Sequence, residues 1–382
     1  MNKDIQYIGV ARNVNELEDA ILLAANVFRS ENGKTSRKII EMKRDLLSPY
    51  KTLSKKDAVI IIAHSGKVCA TCFIIDRVFY RGKSKLTGSY LSSICVSESY
   101  RGIGLSHLLM NAAISEVKKR KNAFALLIAR KAVDHFYTKF HFWGLSQYSK
   151  IEVEVPKNHI QSEIEFLEPS PIDFQILNEI YTHTYKILYG AAERNLNYWK
   201  YIFWKSDIQK IKFRSIKRRE EVIGYIIFSE TQVFEFALRK GVSAIEVLTN
   251  LFSHSKITIN ASEKHPLFAE LKKLDFTIST RECSYGGHMI RVIDFLKMKK
   301  CLEEELVVKF QDLSLKNCKS YFSASRAISV KINNAEVKCF VKGDKFNFED
   351  TCLLMGAKYL SCNPDIKNLH SESFNIPLYD QI

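Results

Sequence analysis

The chain predicts an α/β fold: two α/β domains of similar plan, followed by a small α+β module. Three observations carry this. A strand, a glycine-containing hinge, a helix and a second strand follow one another over residues 88–129, which is the order of a βαβ-type unit. The stretch EVIGYIIFSE (221–230) echoes GKVCATCFII (66–75), a turn and then a strand at the same point of the plan. The length of 382 residues, at about 100–200 residues per domain, leaves room for two or three cores.

Residues 14–30 (VNELEDAILLAANVFRS) carry apolar positions at helical spacing. Residues 58–64, 67–76 and 88–96 read as strands, the first two joined as a hairpin by Ser65-Gly66-Lys67. A helix over 105–120 follows the hinge. Then come a short buried strand, FALLIA (124–129), a short helix, AVDHFYTKF (132–140), and an alternating strand, LSQYSKIEVEV (145–155). Residues 1–155 thus form a first domain. Pro156, Pro169 and Pro171 punctuate a linker into a second, 156–290. Its elements are a helix (DFQILNEIYTHTYKIL), an aromatic stretch (YWKYIFW, 198–204), the strand at 221–230, a helix (VSAIEVLTNLF) and a strand (ITINAS). The hinge of the first domain is not echoed in it. The third unit, 291–382, is entered through Met289-Ile290-Arg291-Val292-Ile293-Asp294. It holds short strands (AISVKI, EVKCFVKG, KFNFED), a helix (TCLLMGAKYL) and an apolar tail ending at Ile382.

Lys and Arg number 57 against 42 Asp and Glu, a formal charge of +15 that favours anionic partners. The lysines are scattered, no basic block or nucleic-acid motif occurs, and no nucleic-acid partner is expected. The nine cysteines show no framework spacing and the start lacks a signal peptide, so reduced thiols in a cytoplasm are expected. Cys69 and Cys72 have CxxC spacing but lie in a strand, where side chains three apart point to opposite faces, so they read as structural. The ten histidines show no ligand spacing and no metal is expected. No apolar run reaches about 18 residues, so no membrane span is expected.

The hinge is Ser99-Tyr100-Arg101-Gly102-Ile103-Gly104-Leu105-Ser106. A glycine-containing turn that opens a helix presents several backbone N–H groups at the positive end of the helix dipole, a nest for phosphate. Gly102 and Gly104 allow close backbone approach, and Arg101 adds a cation. The pattern is neither the dinucleotide G-x-G-x-x-G nor a P-loop.

With its neighbours from Val96 to Leu109, this stretch resembles the acetyl-CoA turn of the GNAT acetyltransferase superfamily. The resemblance implies that the turn, Arg101, Gly102, Ile103, Gly104, Leu105, Ser106 and His107, binds the pyrophosphate of coenzyme A. It implies that Ile94, Cys95 and Val96 bond the pantetheine arm in β-sheet fashion. Phe136-Tyr137-Thr138-Lys139-Phe140-His141-Phe142 looks like the family's F-Y-x-K-x-G-F segment, whose tyrosine protonates the departing thiolate; His141 stands where the family has glycine. Across nearly its whole length the chain resembles the "enhanced intracellular survival" acetyltransferases: tandem GNAT-like mixed-sheet domains, the second without the CoA turn, then a sterol-carrier-like α+β domain. Supporting residues are Tyr189-Gly190, Arg194 and Tyr198-Trp199 in the second domain. That family uses its C-terminal carboxylate as base, here the carboxylate of Ile382, although those chains usually end in an aromatic residue.

The function implied is an acetyl-CoA-dependent N-acetyltransferase acting on a small-molecule or lysine-type amine by direct attack. Cys95 faces the region where the cofactor should lie, but no local His or Asp is placed to activate it as a nucleophile. The rival reading is a non-enzymatic protein on the same fold that senses CoA or carries an apolar ligand. The acceptor is not legible, and a homo-oligomer is left open.

Overall fold

The computed structural model describes residues 5–28, 54–81, 84–130, 132–144, 147–155, 163–188, 190–252, 255–261, 265–272, 274, 276–282, 287–312, 319–323, 328–333, 336–342 and 346–355. The chain runs through β1 (Ile5–Val10), α1 (Val14–Phe28), β2 (Ala58–Ala63), β3 (Val68–Arg81), β4 (Ser84–Val96), α2 (Leu105–Lys119), β5 (Phe124–Ala129), α3 (Asp134–Thr138), β6 (Trp143–Gly144) and β7 (Gln147–Glu154). A second series follows: β8 (Ile164–Leu167), α4 (Asp173–Tyr185), α5 (Leu196–Gln209), β9 (Lys212–Arg218), β10 (Glu221–Ser229), β11 (Gln232–Leu238), α6 (Ala244–Leu251), β12 (Lys256–Ala261), α7 (Leu267–Leu271), β13 (Phe276–Glu282) and β14 (Gly287–Val292). Then come α8 (Phe295–Asp312), β15 (Lys319–Ser323), β16 (Ile328–Asn333), β17 (Glu336–Val341) and α9 (Phe348–Met355).

The strands build two seven-stranded mixed sheets and one of three strands. The first has the order β1-β2-β3-β4-β5-β14-β6 and the second β8-β9-β10-β11-β12-β7-β13. Each contains one parallel pair, β4 with β5 and β11 with β12, and all other pairs are antiparallel. The two sheets are therefore the same plan twice, the tandem α/β arrangement expected. They also exchange strands. β7 lies between β12 and β13 in the second sheet, and β14 lies between β5 and β6 in the first. The hydrogen-bonded sheets thus cross the segment boundaries at 155 and 290.

Burial explains the layers. All six residues of β2 are buried, because α1 covers one face of the first sheet and α2 the other. The α1 side forms one apolar cluster with the third unit, since Ala20, Phe73 and Phe124 share it with Met298, Leu302, Val337 and Leu354. The segment KFNFED, expected as a strand, instead enters α9. Asn347 and Asp350 each accept the other's backbone N–H, at 2.8 and 3.0 Å, and this reciprocal cap starts the helix.

β3 and β4 run well beyond the strands expected at 67–76 and 88–96. Their extension carries Arg77, Tyr80 and Arg81, all buried. The reason is distant in sequence. Residues 190–193 lie along β3: Gly190 N–H donates to Tyr80 O, Tyr80 N–H to Ala191 O and Glu193 N–H to Val78 O, each at 2.8 Å. Arg81 pairs with Glu305 at 3.2 Å and donates to the Leu354 carbonyl. One hairpin therefore ties all three units together. Arg194, next along, forms a fully buried bidentate pair with Glu235, both bonds 2.7 Å, stacked 3.9 Å from the Tyr181 ring centroid. Tyr189 lies outside the described residues.

Candidate active site

The site begins with a defect in β4. Phe73 opposes Ser92 and Thr71 opposes Cys95, so two residues of β4, Ser93 and Ile94, face the single Cys72 of β3. Ser93 takes a left-handed φ of 52°. This is a β-bulge, which re-aims the strand beyond it. The pairing with β5 ends just before. β4 and β5 are in register only over Gly88–Tyr90 and Phe124–Leu126. Beyond that point Leu127–Ala129 pair with β14 on the far side. From Leu91 to Val96 the β5-facing edge of β4 thus opens into a wedge between two diverging parallel strands.

At one end of the wedge lies the turn. Gly102 and Gly104 have φ of 83° and 85°, and a Cβ at either would meet nothing within 4 Å. Glycine is there for the backbone angle, with open space outside. Gly104 caps α2, and the Gly104 carbonyl accepts from His107 and Leu108 at 3.1 and 3.4 Å. Among the described residues, the N–H groups of Gly102, Ile103, Gly104, Leu105 and Ser106 make no hydrogen bond. Three of the five, those of Gly104, Leu105 and Ser106, are what the start of any helix leaves unsatisfied. Arg101 is exposed and its Nε donates to the Val96 carbonyl at 3.4 Å. Ile103 is exposed, and Leu105 is anchored in the core.

Beside the bulge lies Tyr137, on α3, near Cys72. The ring of His107 meets Phe136 edge-on at 5.0 Å and Phe140 at 5.5 Å, which fixes α3 against the start of α2. Ile94, Val96, Tyr100, Phe136 and Tyr137 pack against one apolar cluster, so turn, bulged strand and tyrosine share a face. The Tyr137 hydroxyl has no hydrogen-bond partner among the described residues. Burial, and behind it the Cys72 sulfur, push the phenol up to about 12. It is therefore a neutral O–H, a donor, at any ordinary pH.

Two sequence expectations change here. The Cys95 side chain faces the opposite cluster, with Phe73, Ile75 and Tyr90, and not the wedge; its backbone alone lines the site. The sulfur near Tyr137 is that of Cys72, whose thiol burial raises far above the usual range. Cys69 and Cys72 do not alternate either. β3 has an extra residue opposite Ile61–Ile62, and both thiols join the α2-side cluster, each unpaired. His141, in the place of a glycine, adopts φ 58° all the same, and its N–H closes on Thr138 O at 2.9 Å. The bulge was missed, although Ser92-Ser93 inside an otherwise apolar strand is its visible trace. Ile382 lies outside the described residues. Among those described, no cluster of His, Cys, Asp or Glu could hold a metal, and no helix is long and apolar enough to cross a membrane.

Comparison with known proteins agrees with this geometry. The profile of the acetyltransferase (GNAT) domain family matches residues 12–145. A GCN5-related N-acetyltransferase from Anabaena variabilis superposes with a TM-score of 0.63 at 13% identity, covering 97% of this chain and 99% of that one. An Eis protein from Mycobacterium abscessus gives 0.59 at 12% identity over 98% and 95%. A probable N-acyltransferase from Enterococcus faecalis gives 0.58 at 11% over 88% and 85%. No curated protein matches the chain by sequence. At these identities the likeness is one of fold, and it extends over all three units. The wedge, the turn and Tyr137 all lie inside the matched residues: the chain carries a GNAT acetyltransferase domain.

Proposed function

We propose that the chain transfers an acyl group from acetyl-CoA to a primary amine by direct attack. The carrying observation is the wedge itself, where β4 parts from β5 after Tyr90, with turn N–H groups that make no hydrogen bond among the described residues and a neutral phenol on the same face. In this reading Arg101 and the N–H groups of residues 102–106 hold the pyrophosphate. The backbone of Ile94, Cys95 and Val96 pairs with the pantetheine arm, and strand N–H groups polarise the thioester carbonyl. The amine adds to that carbonyl carbon, the C–S bond breaks, and Tyr137 gives its proton to the sulfur. The carboxylate of Ile382 is the proposed base that removes the amine's proton. No acyl-enzyme is involved, since Cys95 turns away and Cys72 stays protonated.

The acceptor is a small-molecule amine or a lysine side chain. The net charge of +15 weighs against a polycation. The third unit is proposed as the sterol-carrier-like module, and the buried free thiols support a reducing, cytoplasmic setting. The test is thiol release from acetyl-CoA over a panel of amine classes. Turnover with one class that is lost in Tyr137→Phe supports the reading. CoA binding without turnover on any class would replace it with a sensing role.

A further inference from the structure

The strand-for-strand repeat extends to the junction that holds the candidate donor site. β11 is antiparallel to β10 and parallel to β12, as β4 is to β3 and β5. β11 leads through Arg239-Lys240-Gly241-Val242-Ser243 into α6, and Gly241 is left-handed at φ 89° with open space where a Cβ would lie. After β12 comes the five-residue α7, as the five-residue α3 follows β5. Tyr137 is the fourth residue of α3, and Glu270 is the fourth residue of α7. The junction is therefore repeated in its order of elements, with left-handed Gly241 at the place of Gly102 and extended Ser243, whose side chain accepts the Glu246 N–H, at the place of left-handed Gly104.

The two junctions differ in what meets the helix start. In the first, the N–H groups of residues 102–106 have no acceptor among the described residues. In the second, the Glu270 carboxylate sits on the start of α6. Ser243 Oγ donates to one oxygen at 2.7 Å, and Ala244 N–H donates to the other at 2.8 Å. A carboxylate held by a hydroxyl and a helix N-terminal amide is placed as a bound phosphate would be. A cavity of about 250 Å³ remains beside it, lined by His183, Arg239, Lys240, Gly241, Val242 and Glu270 among others.

We propose that Glu270 is an internal anion that closes the donor turn of the second repeat, so that a chain with two such turns has one donor site. The identity of the donor rests on the function proposed above; the closure itself does not. The residue standing at the place of the tyrosine has thus exchanged a proton-donating role for a plug.

The test is thermal unfolding of the full chain in chloride and in sodium pyrophosphate at matched ionic strength. The variants are Glu270→Ala and Glu270→Gln, each combined with Gly104→Glu to occupy the first turn, with Gly104→Glu alone as parent. The alanine variant should melt about 1–3 °C below its parent in chloride, the scale of a lost helix cap in a chain of this length. Pyrophosphate should recover at least about half of that loss saturably, beyond any shift in the parent. The glutamine variant, which keeps one acceptor oxygen, should show a smaller loss and a smaller recovery. A loss with no pyrophosphate-specific recovery makes Glu270 a cap and overturns the proposal. If the alanine variant does not fold, the glutamine variant decides by the same criterion. A Gly104→Glu change that leaves CoA binding intact would sink the reading of the first turn alone, because the parent's shift is subtracted here.

Discussion

Replacing Gly104 by glutamate separates two energies that the structure sets apart. The first is backbone strain. At φ 85° an L side chain costs about 1 kcal/mol, and no contact adds to it, because the space around a Cβ is empty to 4 Å. A carboxylate at the opening of α2 returns about 0.3–1 kcal/mol through the helix dipole, so net stability should move by less than about 1 kcal/mol. The second is repulsion. A carboxylate about 6 Å from each of two phosphate charges, at an effective dielectric near ~40 for an exposed turn, costs about 3 kcal/mol, less what screening and side-chain freedom remove. The remainder, about 1.5–3 kcal/mol, is a ten- to hundredfold loss of CoA affinity. Calorimetric titration with CoA reads this directly. Gly104→Ala carries the strain without the charge and should bind within a few fold of the parent, and the gap between the two variants should narrow at high salt. A folded Gly104→Glu protein with unchanged affinity would show that the pyrophosphate does not lie at this turn.

Tyr137→Phe should keep CoA binding and lower turnover about 100-fold, the scale of a lost general acid; an unchanged rate would leave the ring a packing role. Because the phenol is held near 12, the wild-type rate should show no tyrosine-dependent fall as pH rises through 10, and a fall centred there would contradict the burial described. Removing residues 379–382, or appending a C-terminal tag, should abolish turnover while CoA still binds; a fully active tagged enzyme would return the base to another group. Burial holds His265 and His288 down at about 4, so the unfolded chain binds more protons than the folded one between 4 and 6.5. Stability should fall as pH drops through that window, by up to about 3 kcal/mol per histidine, and denaturant titrations at the two ends should differ by less in His265→Gln.

The donor turn was legible because its reason is local. Gly102 and Gly104 are needed at positive φ, and a strand and a helix stand on either side. The α3 helix was legible as apolar periodicity, although Cys95 could not be aimed without knowing of the bulge at Ser93, which reverses the alternation after it. What stayed hidden depends on partners far along the chain. Residues 77–81 carry two arginines and look like a loop, yet both are buried because residues 190–193, Glu305 and Leu354 reach them. The sequence reads the stretch that forms β14 as an entry to the third unit, and nothing in GHMIRV points to β5 as its neighbour. The repeated junction at Arg239–Ser243 carries one glycine where the first has two, so the sequence shows no second hinge. Its acceptor, Glu270, lies in α7 beyond the next strand, so spacing does not reveal it.

The exchange of β7 and β14 has a consequence for how the protein is made. Synthesis proceeds from the N-terminus at about 5–20 residues per second. The outer edge of β5 is complete at Ala129, yet the strand that pairs with it ends at Val292. For some ten to thirty seconds, on the order of the translation time for the intervening chain, the nascent first sheet presents an apolar strand edge with no partner, the kind of edge that recruits other chains. β7 emerges early in that interval and its partners β12 and β13 come only at its end. Neither half can mature on the ribosome ahead of the other, and β5, which bounds the wedge on one side, gains its outer partner strand in the same late step that completes the second sheet.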